Sequence, residues 1–162
     1  MKGDGALQKL LKSFERYYTI KSDGLEPPFS AEAEFHAHGE QYFLVKAAHI
    51  ADIDSNEYVF FAEETVLSGQ RLAELDSAAW EKGLSRIKPY FGHRNSDVTL
   101  IILADKIDED VFAKIKKSKH YKSYTFGLYG WSNFRTLAYE LSTGRLAYNR
   151  SGKDLQKLIS NL

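Results

Sequence analysis

The sequence predicts a single α/β (or α+β) domain with a mixed sheet of about seven strands and helices packed on that sheet. Apolar residues recur at helical spacing in some segments and alternate with polar residues in others. The chain has 162 residues, of which 43% are hydrophobic, so it is long enough to bury a core without crosslinks. The segments follow in the order αβββαβαβββα. We expect a single domain over residues 1–162, comprising an N-terminal helix (1–20), a linker (21–30) and a core (31–162).

The first helix is predicted from a stripe of apolar side chains at helical spacing, namely Leu7, Leu10, Leu11, Phe14, Tyr17 and Tyr18. The Pro27–Pro28 pair ends this segment, because proline lacks the amide that a helix or a strand ladder needs. Alternation of apolar and polar residues then predicts a strand over 31–38, and turn residues divide it from strands at 41–53 and 57–64. Together these three strands predict an antiparallel meander.

A helix is predicted over 68–87 and a buried strand over 98–104, followed by a short helix that begins after Asp108. A strand, a helix and a further strand in succession predict a parallel βαβ unit. Residues 120–149 then predict three strands, with turns at 130–133 and 142–145, and a closing helix begins near Ser151.

Composition limits the classes of function. The chain has no cysteine, which rules out disulfides and thiolate chemistry and favours a cytoplasmic location. It has no signal-peptide pattern and no apolar run long enough to cross a membrane. It also has no phosphate-binding glycine loop and no nucleophile-elbow motif, so we expect no cofactor, and the sequence does not decide whether the protein is an enzyme.

The aromatic and basic C-terminal half contains the candidate binding residues. Tyr129, Trp131, Arg135 and Arg150 are candidates for a surface or pocket site, on condition that the aromatic side chains are exposed. From Lys106 onward the chain has 11 basic and 5 acidic side chains, whereas residues 1–105 have 11 and 17. This asymmetry keeps nucleic-acid binding open, through one basic stripe that joins residues 114–122 to residues 135–150. The alternatives are an ordinary solvated charged surface and aromatic side chains that serve as core.

Two histidines are candidates for a metal site. His36 and His38 alternate with Glu34, so all three side chains point to one face of the predicted strand 31–38. Zinc sites in proteins use three or four such ligands. His49 and Asp52 of the next predicted strand lie on opposite faces, so at most one of them could join the pair. A solvated strand face is the alternative explanation.

The order αβββαβ resembles the core of restriction-endonuclease-like nucleases. That resemblance implies an acid on the second strand and an acid-x-lysine motif on the third, which hold a divalent metal. The third strand here has Glu57, Glu63 and Glu64, none of which is followed two residues later by lysine. A degenerate or atypical metal-dependent nuclease remains an alternative, and it predicts a cleft that gathers Glu34, Lys46, Asp52 and Glu63.

Three segments, GEQYFLVKAAH, GLSRIKP and GLYGWSNFRTLAYELSTGRLAYNRSGKDLQKLI, resemble an uncharacterised family of bacterial proteins, a domain of unknown function. The likeness covers nearly the whole chain from Ala31 onward. It implies no activity and no catalytic residues. We therefore expect a binding or accessory/oligomerisation domain. Such a domain can form a homo-oligomer.

Overall fold

A computed structural model describes residues 2–36, 55–87, 95–124, 127, 130–160 and 162. The described part has seven strands: β1 (Thr19–Lys21), β2 (Ala31–Phe35), β3 (Ser55–Leu67), β4 (Asn95–Ile107), β5 (Tyr121–Ser123), β6 (Trp131–Glu140) and β7 (Leu146–Tyr148). Its helices are α1 (Lys2–Lys12), α2 (Gly69–Arg86), α3 (Glu109–Lys117) and α4 (Gln156–Ile159), and a 3-10 helix (Arg150–Leu155) precedes α4. The predicted α+β class, the single sheet and the order of elements are confirmed.

The strands form one open mixed sheet in the order β1-β2-β3-β4-β6-β5, with β7 also paired to β6. The three central strands β3, β4 and β6 are parallel, and the outer pairings are antiparallel. Helix α2 connects β3 to β4, and helix α3 lies between β4 and β6, as the predicted βαβ arrangement requires. The central strands therefore begin at one common edge of the sheet, which we call the amino edge.

The start of the sheet differs from the sequence prediction. Strand β2 pairs directly with β3, Ala31 opposite Phe61 and Phe35 opposite Glu57, so the first and third predicted meander strands are neighbours. The predicted strand 41–53 lies outside the described residues. The strand on the other side of β2 is β1, which the sequence analysis had divided between helix and linker.

Helix α1 is shorter than the helix predicted over 1–20. The apolar residues at helical spacing continue to Tyr18, but the helix itself does not. The helix ends at Lys12, and turn-type bonds follow, such as that from the Ser13 amide to the Leu10 carbonyl, 3.0 Å. These turns still bury Phe14, Tyr17 and Tyr18. Apolar residues at helical spacing are therefore buried here without a continuous helix.

Two core layers cover the two faces of the sheet. Helices α2 and α3 pack on the face that carries Tyr58, Phe60, Leu100 and Ile102. Helix α1, the 3-10 helix and α4 pack on the opposite face, which carries Phe35, Phe61, Ile101 and Leu103. We call this second face the α1 face. The alternation of side chains along each strand assigns to it the odd-numbered residues of β3 up to Glu63, of β4 up to Leu103 and of β6.

Asn149 fixes the 3-10 helix to the sheet. Its side-chain oxygen accepts from the amides of Thr136 (3.1 Å) and Gly152 (2.9 Å), and its nitrogen donates to the carbonyls of Ser118 (3.0 Å) and Phe134 (2.9 Å). The backbone approaches so closely here that a β-carbon at Gly152 would lie 2.6 Å from the Thr136 carbonyl oxygen. Glycine is therefore required at this position, and the helix is held over the amino edge.

Candidate functional site

A cavity of about 600 Å³ opens on the α1 face at the amino edge of the sheet. Its floor consists of strand residues Glu57, Asn95, Asp97, Asn133 and Arg135, and one wall is formed by the turn after α1 with Ser13, Phe14 and Tyr18. The other wall is formed by the 3-10 helix and α4, where Asp154 and Lys157 lie. A cavity of this size is in the range of small-molecule pockets. We call it the amino-edge pocket.

Strand register brings the floor residues together. Glu57 of β3 lies opposite Asp97 of β4, which lies opposite Asn133 of β6. One step further in, Thr99 lies opposite Arg135. All are odd-numbered, so their side chains share the α1 face. Five polar side chains therefore occupy one end of a face that is apolar over the rest of its area.

Glu57 is the centre of a buried hydrogen-bond network. Its carboxylate accepts from the Tyr18 hydroxyl, from Thr99 Oγ1 at 2.7 Å and from Arg135 Nη1. Glu57 is only 4% exposed, and a buried carboxylate is tolerated when it is paired and hydrogen-bonded in this way. Arg135 also donates through Nε to the Ser151 carbonyl at 3.3 Å. The network links the turns after α1, the central strands and the 3-10 helix.

The protonation states of the network follow from burial and charge. Burial, together with the negative charge of Glu57 and its hydrogen bond, raises the pKa of Tyr18 above its ordinary value, so the phenol stays a donor. Burial lowers the pKa of Arg135, but attraction to Glu57 and Asp97 outweighs it, and the resulting pKa lies above the ordinary value. Arg135 is therefore a cation throughout the physiological range.

The remaining floor residues present acceptor atoms. Asn95 is 8% exposed, and its Oδ1 atom has no hydrogen-bond partner among the residues that the structure describes. A buried oxygen without a partner costs about 1–3 kcal/mol. Asp97, 7% exposed, lies two residues further along β4 on the same face. Asn95 Oδ1 thus gives the floor of the pocket an acceptor for a hydrogen-bond donor.

The candidate binding residues that the sequence predicted lie in different environments. Arg135 belongs to the pocket floor, Trp131 is 38% exposed and lies opposite Asn95 in the register, and Arg150 is exposed at the start of the 3-10 helix. Tyr129 lies outside the described residues. Arg135 is on the sheet face opposite to α3, so a single surface stripe of Arg135 with the α3 lysines is not formed. Nucleic-acid binding itself stays a prediction.

His36 belongs to no converging ligand set within the described residues. His36 is exposed at the end of β2, where its Nε2 lies 3.4 Å from Glu34 Oε2 and its ring meets Tyr58 edge-on. His38 lies outside the described residues. Within the described ranges, no group of three or more His, Cys, Asp or Glu side chains is arranged to hold a metal ion.

The acidic cluster expected of a degenerate nuclease is not assembled by its described members. Glu34 pairs with Arg86 at 3.2 Å on the α2 side of the sheet, whereas Glu63 is an odd-numbered residue of β3 and points to the α1 face. Lys46 and Asp52 lie outside the described residues. Two carboxylates on opposite faces of a sheet cannot bind one metal ion.

Sequence reasoning missed most of the pocket and of the Glu57 network, namely Tyr18, Glu57, Asn95, Asp97 and Thr99. One pattern could have revealed part of it. Asn95, Asp97 and Thr99 are polar at every second position directly before the aliphatic run of β4, which is the spacing of one strand face. The predicted strand instead began at Val98, because polar clusters before a buried strand usually are loops.

The fold and the pocket together define the class: an α+β protein with an open mixed sheet and a polar pocket at the amino edge of its parallel strands. No helix in the described ranges is both long and apolar enough to cross a bilayer. The chain belongs to the family described as Domain of unknown function (DUF8052), whose model matches residues 3–161. This confirms the resemblance to a family of unknown function. No curated protein and no solved structure matches the chain.

Proposed function

We propose that this protein is a small-molecule-binding domain and that the amino-edge pocket is its binding site. The observation that carries the proposal is the pocket floor, where buried polar side chains face an open cavity of about 600 Å³ and Asn95 Oδ1 has no partner in the described structure. Buried polar atoms in native proteins are nearly always satisfied. A ligand that donates a hydrogen bond to this oxygen supplies the missing partner.

The construction of the pocket supports binding of a ligand to a preformed site. Tyr18, Thr99 and Arg135 hold Glu57 from three elements, so the floor does not have to reorganise when a ligand enters. A preformed site avoids the entropic cost of ordering side chains, about 0.5–1.5 kcal/mol for each. The cysteine-free composition suits a reducing compartment, so the proposal places this binding in the cytoplasm.

Blocking the pocket tests the proposal. Ser13 lies in one wall and is half-buried, so Ser13→Trp is expected to fill the cavity and abolish binding. Saturation-transfer NMR with millimolar amines, alcohols, carboxylates and phosphates measures binding to each variant. Ser77→Trp, at an exposed position of α2 on the other side of the sheet, is the matched control and should bind as the wild type does.

The result that contradicts the proposal is equally defined. If no probe class binds the wild-type protein, or if binding persists in Ser13→Trp, the pocket is not a ligand site. Leu158→Trp blocks the opposite wall and serves as the second test variant if Ser13→Trp lowers thermal stability.

Self-association is a second candidate function, favoured by two exposed aromatic side chains. Tyr121 is 57% and Trp131 38% exposed, and β5–β6 register places both on the α1 face beside Asn133. We expect light scattering to show a dimer that Tyr121→Lys converts to monomer. Val66→Lys replaces a 48% exposed residue of β3 and should leave the dimer intact. A monomeric wild-type protein at high concentration would remove this candidate.

A further inference from the structure

We infer that the ligand of the amino-edge pocket is a flat ring that carries a neutral amide edge, in which a hydrogen-bond donor and an acceptor lie side by side. The inference rests on the proposed function and adds the chemical class of the ligand. Three observations lead to it: the unpartnered amide oxygen of Asn95 in the described structure, a second carboxamide at Asn133, and two apolar walls beside this floor.

Asn95 defines the hydrogen bonds that the ligand has to make. The residue is 8% exposed and lines the floor, and its Oδ1 atom has no hydrogen-bond partner within the described ranges. A carboxamide carries an acceptor oxygen and a donor NH2 group on the same carbon, so a ligand edge with a donor next to an acceptor can pair with both. A carboxylate has acceptors alone and leaves Oδ1 unsatisfied, whereas an ammonium group has donors alone and leaves the NH2 group unpaired.

Asn133 places a second neutral carboxamide on the same floor. It is half-buried and belongs to β6, the strand beside β4. The register sets Asn95 opposite Trp131 and Asp97 opposite Asn133, so the two asparagines are diagonal neighbours on one face of the sheet. The floor therefore presents two amides from adjacent strands, and both are complementary to an amide edge.

The charged groups of the floor interact with one another. Glu57 accepts hydrogen bonds from three donors, among them Arg135. Asp97 attracts the Arg135 guanidinium, as does Glu57. Moving a charged ligand group from water to this floor is costly unless the group gains a partner of its own. A neutral amide loses less hydration and gains the Asn95 oxygen, so the floor favours it.

The walls of the pocket favour a flat apolar body. Phe14 lies in the wall formed by the turn after α1, and Leu155 and Leu158 lie in the wall formed by the 3-10 helix and α4. Apolar surface of a ligand that leaves water between these walls contributes in proportion to its area. Trp131, opposite Asn95 in register, has an exposed ring, which adds an aromatic face beside the floor. A ring that stands between the walls directs its amide edge to Asn95.

Four probes built on one benzene ring test the inference by saturation-transfer NMR. Benzamide carries the donor and the acceptor, benzoate carries acceptors alone, benzamidinium carries donors alone, and N,N-dimethylbenzamide is neutral but lacks the donor. We expect the wild type to bind benzamide about tenfold more tightly than each of the other three, because a buried group left unpaired in the complex weakens binding by roughly this factor. Isoquinolin-1-one, whose amide lies within the ring, shows by its rank against benzamide whether the preferred edge belongs to a ring or to a substituent.

Asn95→Asp is expected to reverse this preference. It keeps the shape of the side chain but removes the donor and adds a negative charge, so the variant should bind benzamidinium about tenfold more tightly than benzamide. Gln70→Glu makes the same chemical change at an exposed position of α2, on the other side of the sheet. This matched control should bind every probe as the wild type does.

The outcomes separate this inference from the proposed function. Equal or tighter binding of benzoate, benzamidinium or N,N-dimethylbenzamide, at a site that Ser13→Trp blocks, overturns the amide inference and leaves the pocket a ligand site. Binding of an amine, alcohol, carboxylate or phosphate there, without binding of benzamide, has the same meaning. Failure of every probe to bind overturns this inference and the proposed function together. If Asn95→Asp does not fold, the order of the four probes on the wild-type protein decides.

Discussion

Asn149→Ala is expected to lower the free energy of unfolding by about 3–5 kcal/mol. The side chain is 3% exposed and makes four hydrogen bonds to backbone groups of β6, the 3-10 helix and the end of α3. Alanine removes all four bonds, although the Gly152 amide keeps the Asn149 carbonyl as an acceptor at 3.0 Å. Each group left buried without a partner costs about 1–3 kcal/mol. Urea denaturation, followed by far-UV circular dichroism, measures the loss.

Asn133→Ala is the matched control for this substitution. Asn133 is half-buried at the pocket floor, and its removal should cost less than about 1 kcal/mol. Asn149→Asp should destabilise as strongly as alanine does, because it places a negative charge against the carbonyls of Ser118 and Phe134. A loss for Asn149→Ala within 1 kcal/mol of that for Asn133→Ala would mean that water replaces the amide without cost.

Arg135→Leu is expected to destabilise the protein by about 3–5 kcal/mol, since it leaves the Glu57 carboxylate buried without its cation. The double variant Glu57→Leu/Arg135→Leu should recover much of that loss, because replacing both partners of a buried pair with apolar groups is often close to neutral. Equilibrium unfolding of both single variants and the double variant gives the coupling energy.

Arg145→Leu provides the comparison at the surface. Arg145 forms an exposed bidentate pair with Glu109, at 2.9 Å for both contacts, and exposed pairs contribute little to stability because water and salt screen them. If Arg135→Leu costs no more than Arg145→Leu, the floor of the pocket is hydrated and its charges are screened. A double variant less stable than both single variants would show that the Glu57–Arg135 pair does not act as a unit.

The local patterns of the sequence were sufficient for the class and the order of elements. Helix α2 was expected over 68–87 and occupies Gly69–Arg86, because its apolar spacing and its Ser68 cap are both local features. On β6, Leu137 and Tyr139 alternate with polar or small residues and both belong to the core on the α1 face. The predicted turn over 142–145 is confirmed by Gly144, whose φ is 79°.

The pairings and the site depend on distant parts of the chain and were not predicted. Nothing local distinguishes Thr19–Lys21 as an edge strand, since three residues are too few to show alternation. Residues 130–133 were predicted to form a turn because Gly130 is a turn-forming residue. In the structure β6 already begins at Trp131. Glu57 and Arg135 were each visible as charged residues, but only the register of three strands places them on one buried floor.

The position of the pocket at the amino edge also determines the sign of the backbone field there. Ligand sites in open α/β sheets usually lie at the carboxyl ends of the strands, where helix N-termini attract phosphate. Helix α2 ends at the amino edge instead, as shown by the contact of 3.5 Å between the Tyr58 hydroxyl and the Arg86 carbonyl oxygen. A helix C-terminus carries about half a negative charge. The α2 dipole at this edge is therefore negative, on the face of the sheet opposite to the pocket.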